Sequence, residues 1–126
     1  MRAIDTNVLV RIIARDDPRQ VAEAERFVRD GAWVSTLVLA EAIWVTESVY
    51  DLTPQGQAKA IEMLLEHHDL VLQDAETVAG ALQIFRLKPA LGFFHCLILS
   101  TARKAGHVPL GTFDRDLVKM TGAHKL

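Results

Sequence analysis

Cysteine is almost missing from this chain. Its one thiol, Cys96, cannot close an intrachain disulfide, so no disulfide framework holds the fold and a reducing compartment suits it. Charge imbalance is missing too. Fourteen Lys and Arg against sixteen Asp and Glu leave a net charge of −2. That excludes a broadly basic nucleic-acid binder and confines any cationic surface to a local patch. No apolar run is long enough to span a bilayer. No segment repeats, and no Gly/Ser/Pro linker divides the chain. The opening MRAIDTNVLV lacks the charged-then-apolar layout and small-residue cleavage site of a secretory signal. The expectation is one domain over residues 1–126, cytoplasmic, with no membrane partner.

What is present suits a packed core: 126 residues, 50% of them hydrophobic and 24% charged. The segment RAID predicts a short strand, stopped by the helix-capping run Asp5-Thr6-Asn7. Helices follow over 7–15 (Val8, Leu9, Ile12 and Ile13 on one side) and 16–30, where Val21, Ala24, Phe27 and Val28 form a stripe. A strand at 32–35 leads to helices at 36–50 and 53–68, the latter with Thr53 as cap and Pro54 just inside. The run LVLQ predicts a strand buried on both faces. Helices are expected over 74–88 and 92–106, with Gly106 as stop, then a strand over 108–113, a short helix over 114–120, and an edge strand from Ala123. Strands alternating with helices predict an α/β fold with a mostly parallel sheet and helices on both faces. In such sheets chemistry gathers just beyond the carboxyl ends of the strands.

Acids stand at those ends. Asp5 follows the first strand, and Asp114 follows VPLGTF, with Asp116 two residues on. Each taken alone reads as readily as a helix cap or a first-turn acid. Glu41 reads differently. Leu37, Val38, Trp44 and Val45 surround it at three- and four-residue spacings, so it is expected on the apolar, buried face of its helix. A buried carboxylate without a partner is costly, and acids sharing a cleft repel. A hard divalent cation with a taste for oxygen ligands removes both objections.

Four segments, AIDTNVLVR, VSTLVLAEAIWV, GFFHCLILSTARKAG and LGTFDRDLV, come in an order and spacing that resembles the PIN domain, in particular the VapC-type toxin ribonucleases. The resemblance spans essentially the whole chain. It implies a three-layer α/β/α sandwich on a short parallel sheet, and RNA cleavage with Mg²⁺ or Mn²⁺ held by acids. Carried over, the metal-binding and catalytic acids are Asp5, Glu41 and Asp114. Asp116 matches a position that is often acidic. Thr6, Asn7, Ser35 and Thr112 are expected to hydrogen-bond around them. Arg11, Arg15, Arg86, Lys88 and Arg115 are candidates for a cationic rim facing RNA, although solvated surface charge explains any one of them as well. The resemblance also implies a homodimer and a small cognate antitoxin. Trp44 and Tyr50 are candidate anchors for such partners, with ordinary core an equal reading of Trp44.

The chain departs from the family pattern at His95, where an aspartate is usual, and at Gly92, where an earlier aspartate often stands. Imidazole matches Mg²⁺ less well than Mn²⁺ and carries one negative charge fewer. His95 is therefore expected either to join the metal site and favour Mn²⁺, or to mark a degenerate PIN domain that binds RNA or a protein partner without cutting. Cys96 has no evident activating base and is not expected to act as a nucleophile. A haloacid-dehalogenase-like phosphatase needs an acid where Asn7 stands. A receiver domain needs a lysine where Thr112-Phe113-Asp114 stands.

Overall fold

The computed structural model describes residues 1–126. The chain divides into two compact units, residues 1–75 and 76–126.

In the first unit the order is β1 (Arg2–Ala3), α1 (Thr6–Ala14), α2 (Pro18–Val28), β2 (Ala32–Val34), α3 (Thr36–Ser48), α4 (Pro54–Glu66) and β3 (Leu70–Leu72). The strands form one ladder in the order β1-β2-β3, parallel throughout. Parallel neighbours cannot be joined by a hairpin, so each connection runs through a helix pair. Trp33 sits opposite Ala3 on one side and Val71 on the other. Backbone bonds carry the pairing past the strand ends: the Ile4 amide donates to the Trp33 carbonyl at 3.1 Å and that of Gln73 to Val34 at 2.8 Å.

Every helix start in this unit has a side-chain cap. Asp17 accepts from the amides of Arg19 and Gln20, Ser35 from Val38, and Thr53 from Gly56, while Asp5 accepts from Thr6. Each satisfies donors that the first turn cannot bond internally. Leu9, Val10 and Ile12 of α1, Leu39, Ala42 and Ile43 of α3, Ile61 and Leu64 of α4, and Ala32, Val34, Leu70 and Leu72 of the strands are buried. Helix α1 packs against both α2 and α3.

Three sequence expectations need correction here. Val71 is exposed, so β3 alternates instead of being buried on both faces. Phe27 leaves the α2 stripe. Its ring is half-exposed beneath the Arg2 guanidinium, 3.8 Å from the ring centroid, and Arg2 also donates to the Phe27 carbonyl at 2.9 Å. Glu41 is exposed, with Leu37 and Trp44 on the same side of α3. The reason lies in α3 itself. Its sequence is apolar nearly all round, so spacing alone cannot say which face turns inward.

The second unit contains α5 (Ala75–Leu87), a short 3₁₀ turn at Pro89–Leu91, α6 (Phe93–Ala105), β4 (Leu110–Thr112), a 3₁₀ turn at Leu117–Lys119 and β5 (Ala123–Lys125). Strands β4 and β5 pair in parallel. The expected C-terminal strand therefore forms, but in a ladder with β4 alone. The expected helix over 114–120 shrinks to one 3₁₀ turn, because Met120 is already extended. Phe85 and Phe93 are buried and meet edge to face, with centroids 5.9 Å apart. Gly106 ends α6 as expected, with φ at +80° and its amide bonded back to Ala102 and Arg103.

No helix is long and apolar enough to cross a membrane.

Candidate functional site

Two groups of the expected residues form, one in each unit. In the first unit β1 delivers Asp5 to the N-terminus of α1. The Thr6 amide donates to Asp5 Oδ1 at 2.7 Å, and the Asp5 carbonyl accepts from Val8 and Leu9. The side chain of Thr6 turns the other way. It is buried, and its hydroxyl donates to Glu41 Oε1. One residue thus ties the two acids together, one through its amide and one through its hydroxyl. The packing of α1 on α3 brings them close across 36 positions of sequence.

Ser35 caps α3, its Oγ accepting from the Val38 amide at 3.1 Å. Asn7 lines a groove along α1 and α2 with Val8, Arg11, Gln20, Glu23, Ala24 and Phe27.

In the second unit β4 delivers Asp114. The Thr112 hydroxyl accepts from the Asp114 amide at 3.0 Å. Asp114 Oδ1 accepts from the amides of Asp116 at 3.0 Å and Leu117 at 2.8 Å. These bonds, that of Leu117 foremost, hold the carboxyl below the usual aspartate range; the charge of His95 adds to them, and partial burial opposes them. Asp114 Oδ2 lies 3.7 Å from His95 Nδ1. His95 stands in the first turn of α6, and both side chains are about one-third exposed, at 37% and 36%. Asp116 points elsewhere, 4.0 Å from Lys119.

Gly92 precedes α6 with φ at +78° and ψ at 147°, a region essentially reserved for glycine. Cys96, next to His95 in sequence, is fully buried, and burial pushes its thiol up to about 11. A neutral buried thiol is not a nucleophile.

The donor chemistry fits a hard divalent cation. Asp5 and Glu41 are solvent-exposed oxygen donors, and Asp114 keeps one oxygen outside its two backbone bonds. Within neither unit do three His, Cys, Asp or Glu side chains gather as a complete metal set.

The expected cationic rim fares unevenly. Arg11 is engaged on three sides: by Gln20, by Asp16 at 3.2 Å and by the Tyr50 hydroxyl at 2.9 Å. Tyr50 in turn donates to Asp16 at 2.7 Å. Sequence spacing shows nothing of this three-way contact, and it occupies the polar tip of the Tyr50 ring expected as an anchor. Arg15 pairs with Glu25 at 2.6 Å. Arg86, Lys88 and Arg115 are exposed. Trp44 is 56% exposed and so is not core.

Parallel strands define an α/β fold, with an acid just beyond β1 in the first unit and another just beyond β4 in the second. The PIN domain family matches residues 3–123, and the chain belongs to that family. PIN domains are in general nucleases that use divalent metal ions. Neither the curated proteins nor the solved structures contain a match to this chain.

Proposed function

We propose that the chain is a metal-dependent endoribonuclease of the VapC type, the toxin of a toxin–antitoxin pair, built as one PIN domain and acting in the cytoplasm. Asp5, Glu41 and Asp114 hold the cation, Mg²⁺ or Mn²⁺, and His95 stands at the fourth position. The observation that carries this reading is the Thr6 bridge, which holds two acids at the end of a strand where solitary caps would have no reason to meet. A bound cation lowers the pKa of its water and offsets charge building on the phosphoryl oxygens. The protein's part is positional. Thr6 fixes the Asp5 and Glu41 carboxylates, and two backbone amides keep Asp114 ionised with Oδ2 available. Exposed Arg86, Lys88 and Arg115 supply cationic charge for the RNA backbone. A homodimer and a small antitoxin are the proposed protein partners, with exposed Leu37 and Trp44 as contact residues.

His95 beside Asp114 supports one competing reading, a PIN domain that binds without cutting. Incubation of the purified protein with cellular RNA and Mg²⁺ or Mn²⁺, beside an Asp5→Asn control, separates the two. Discrete fragments that need metal and vanish in the control establish the nuclease. Their absence with both metals, from folded protein, favours the binder. His95→Asp is expected to raise Mg²⁺-dependent cleavage; unchanged cleavage and metal affinity would remove His95 from the site.

A further inference from the structure

The five phenylalanines have unequal fates. Phe85 and Phe93 are buried against each other, Phe94 is half-buried, and Phe27 is covered by Arg2. Phe113 is 82% exposed. A loose loop does not explain it, because the chain is pinned on both sides of the ring. Before it, the Thr112 carbonyl accepts from the Leu126 amide at 3.1 Å. After it, the Asp114 amide bonds to the Thr112 hydroxyl, and Asp114 Oδ1 bonds to two amides ahead, including that of buried Leu117. The backbone is fixed while the ring stays in water.

Its chain neighbours define the chemistry. Phe113 is followed by Asp114, whose Oδ2 faces His95, and then by exposed Arg115. Its chain neighbours Gly111, Asp114, Arg115 and Asp116 offer it no apolar side chain, and the one apolar side chain placed along this strand, Leu126 beside Gly111, is itself mostly exposed. A protein-docking hot spot sits among desolvating neighbours. A lone aromatic set beside an acid and a cation suits a nucleotide, whose base needs a flat apolar face and whose phosphate needs a charge. Trp44, the other exposed aromatic beside a candidate acid, shares its helix face with Leu37 and reads as a protein contact instead.

We propose that Phe113 is a positioning residue on which one base of the RNA substrate stacks, so that the adjoining phosphate is presented to Asp114. This rests on the ribonuclease reading above. The test compares wild type, Phe113→Ala and Phe113→Trp on a short unstructured oligoribonucleotide. A series in which each base in turn is replaced by an abasic sugar is measured beside it. Affinity is read without added divalent metal, and cleavage afterwards with Mg²⁺ or Mn²⁺.

Phe113→Ala is expected to weaken binding about 5- to 150-fold, the range for loss of one stacked base. Phe113→Trp is expected to bind within about threefold of wild type, since every aromatic face stacks. Wild type should lose affinity sharply at one abasic position, and Phe113→Ala should lose that sensitivity. Wild type that binds and cuts, with Phe113→Ala unchanged or with the same abasic profile, overturns the stacking role and leaves the nuclease reading intact. Wild type that neither binds nor cuts overturns both.

Discussion

Replacing Thr6 by valine keeps the shape of a buried side chain and deletes the hydroxyl that donates to Glu41. The Asp5 cap survives, because it uses the Thr6 amide. A hydrogen bond to a charged acceptor contributes about 1.5–3 kcal/mol, but exposed Glu41 recovers water when the bond is lost, so about 1 kcal/mol is the expected cost. With an unfolding entropy near 2.1 cal/mol/K per residue, that lowers Tm by about 4 °C in a chain of this length. Urea unfolding of Thr6→Val, Glu41→Ala and the double variant isolates the pair. The cycle matters because each single change also alters packing and solvation at its own position. A coupling of about 1 kcal/mol is expected. Free energies that add to within about 0.3 kcal/mol would mean the bridge holds nothing, and the argument that Thr6 unites the two acids would fall.

The Thr77 hydroxyl is buried without a hydrogen-bond partner. Thr77→Val should therefore leave the unfolding free energy unchanged or raise it by up to about 1 kcal/mol, and a clear loss on thermal unfolding would refute the assignment. Cys96 should resist a thiol reagent at neutral pH and label only on unfolding, since burial holds its pKa up to about 11; stoichiometric labelling of native protein would contradict the burial. The carboxyl of Asp114 is depressed in the folded state, so its stabilisation is present above the ordinary aspartate pKa and fades as pH falls through the folded value. In metal-free buffer wild type should exceed Asp114→Asn in Tm at about pH 6, and the gap should close toward about pH 3; a constant gap would show that charge is not what the two amides recognise.

The elements were legible because their punctuation is local. Asp5, Thr53 and Gly106 mark helix ends through bonds to nearby backbone and Pro54 through its fixed φ, and those ends lie within a residue or two of where the sequence puts them. Asp5 and Asp114 were legible as acids after strands. The exposure of Glu41 was not, since a helix apolar on all sides carries no inward signal. Nor was the position of Phe27, which a cation from β1 covers at the surface. The Arg11–Tyr50–Asp16 contact and the Thr6–Glu41 bond join residues more than thirty positions apart, beyond the reach of any periodicity.

Gly92 and His95 stand where the resemblance leads one to expect acids, yet they differ in how readily an acid fits there. His95 occupies a regular helical turn with its side chain partly in solvent, so an aspartate can fit there with the backbone unmoved. Open space surrounds the place where a side chain would grow from Gly92, but its backbone has settled where side chains are not tolerated, at a cost of about 1–3 kcal/mol to any other residue. The two positions are thus open and latched: a carboxylate can enter at 95 in one step, while one at 92 works against the backbone that begins α6.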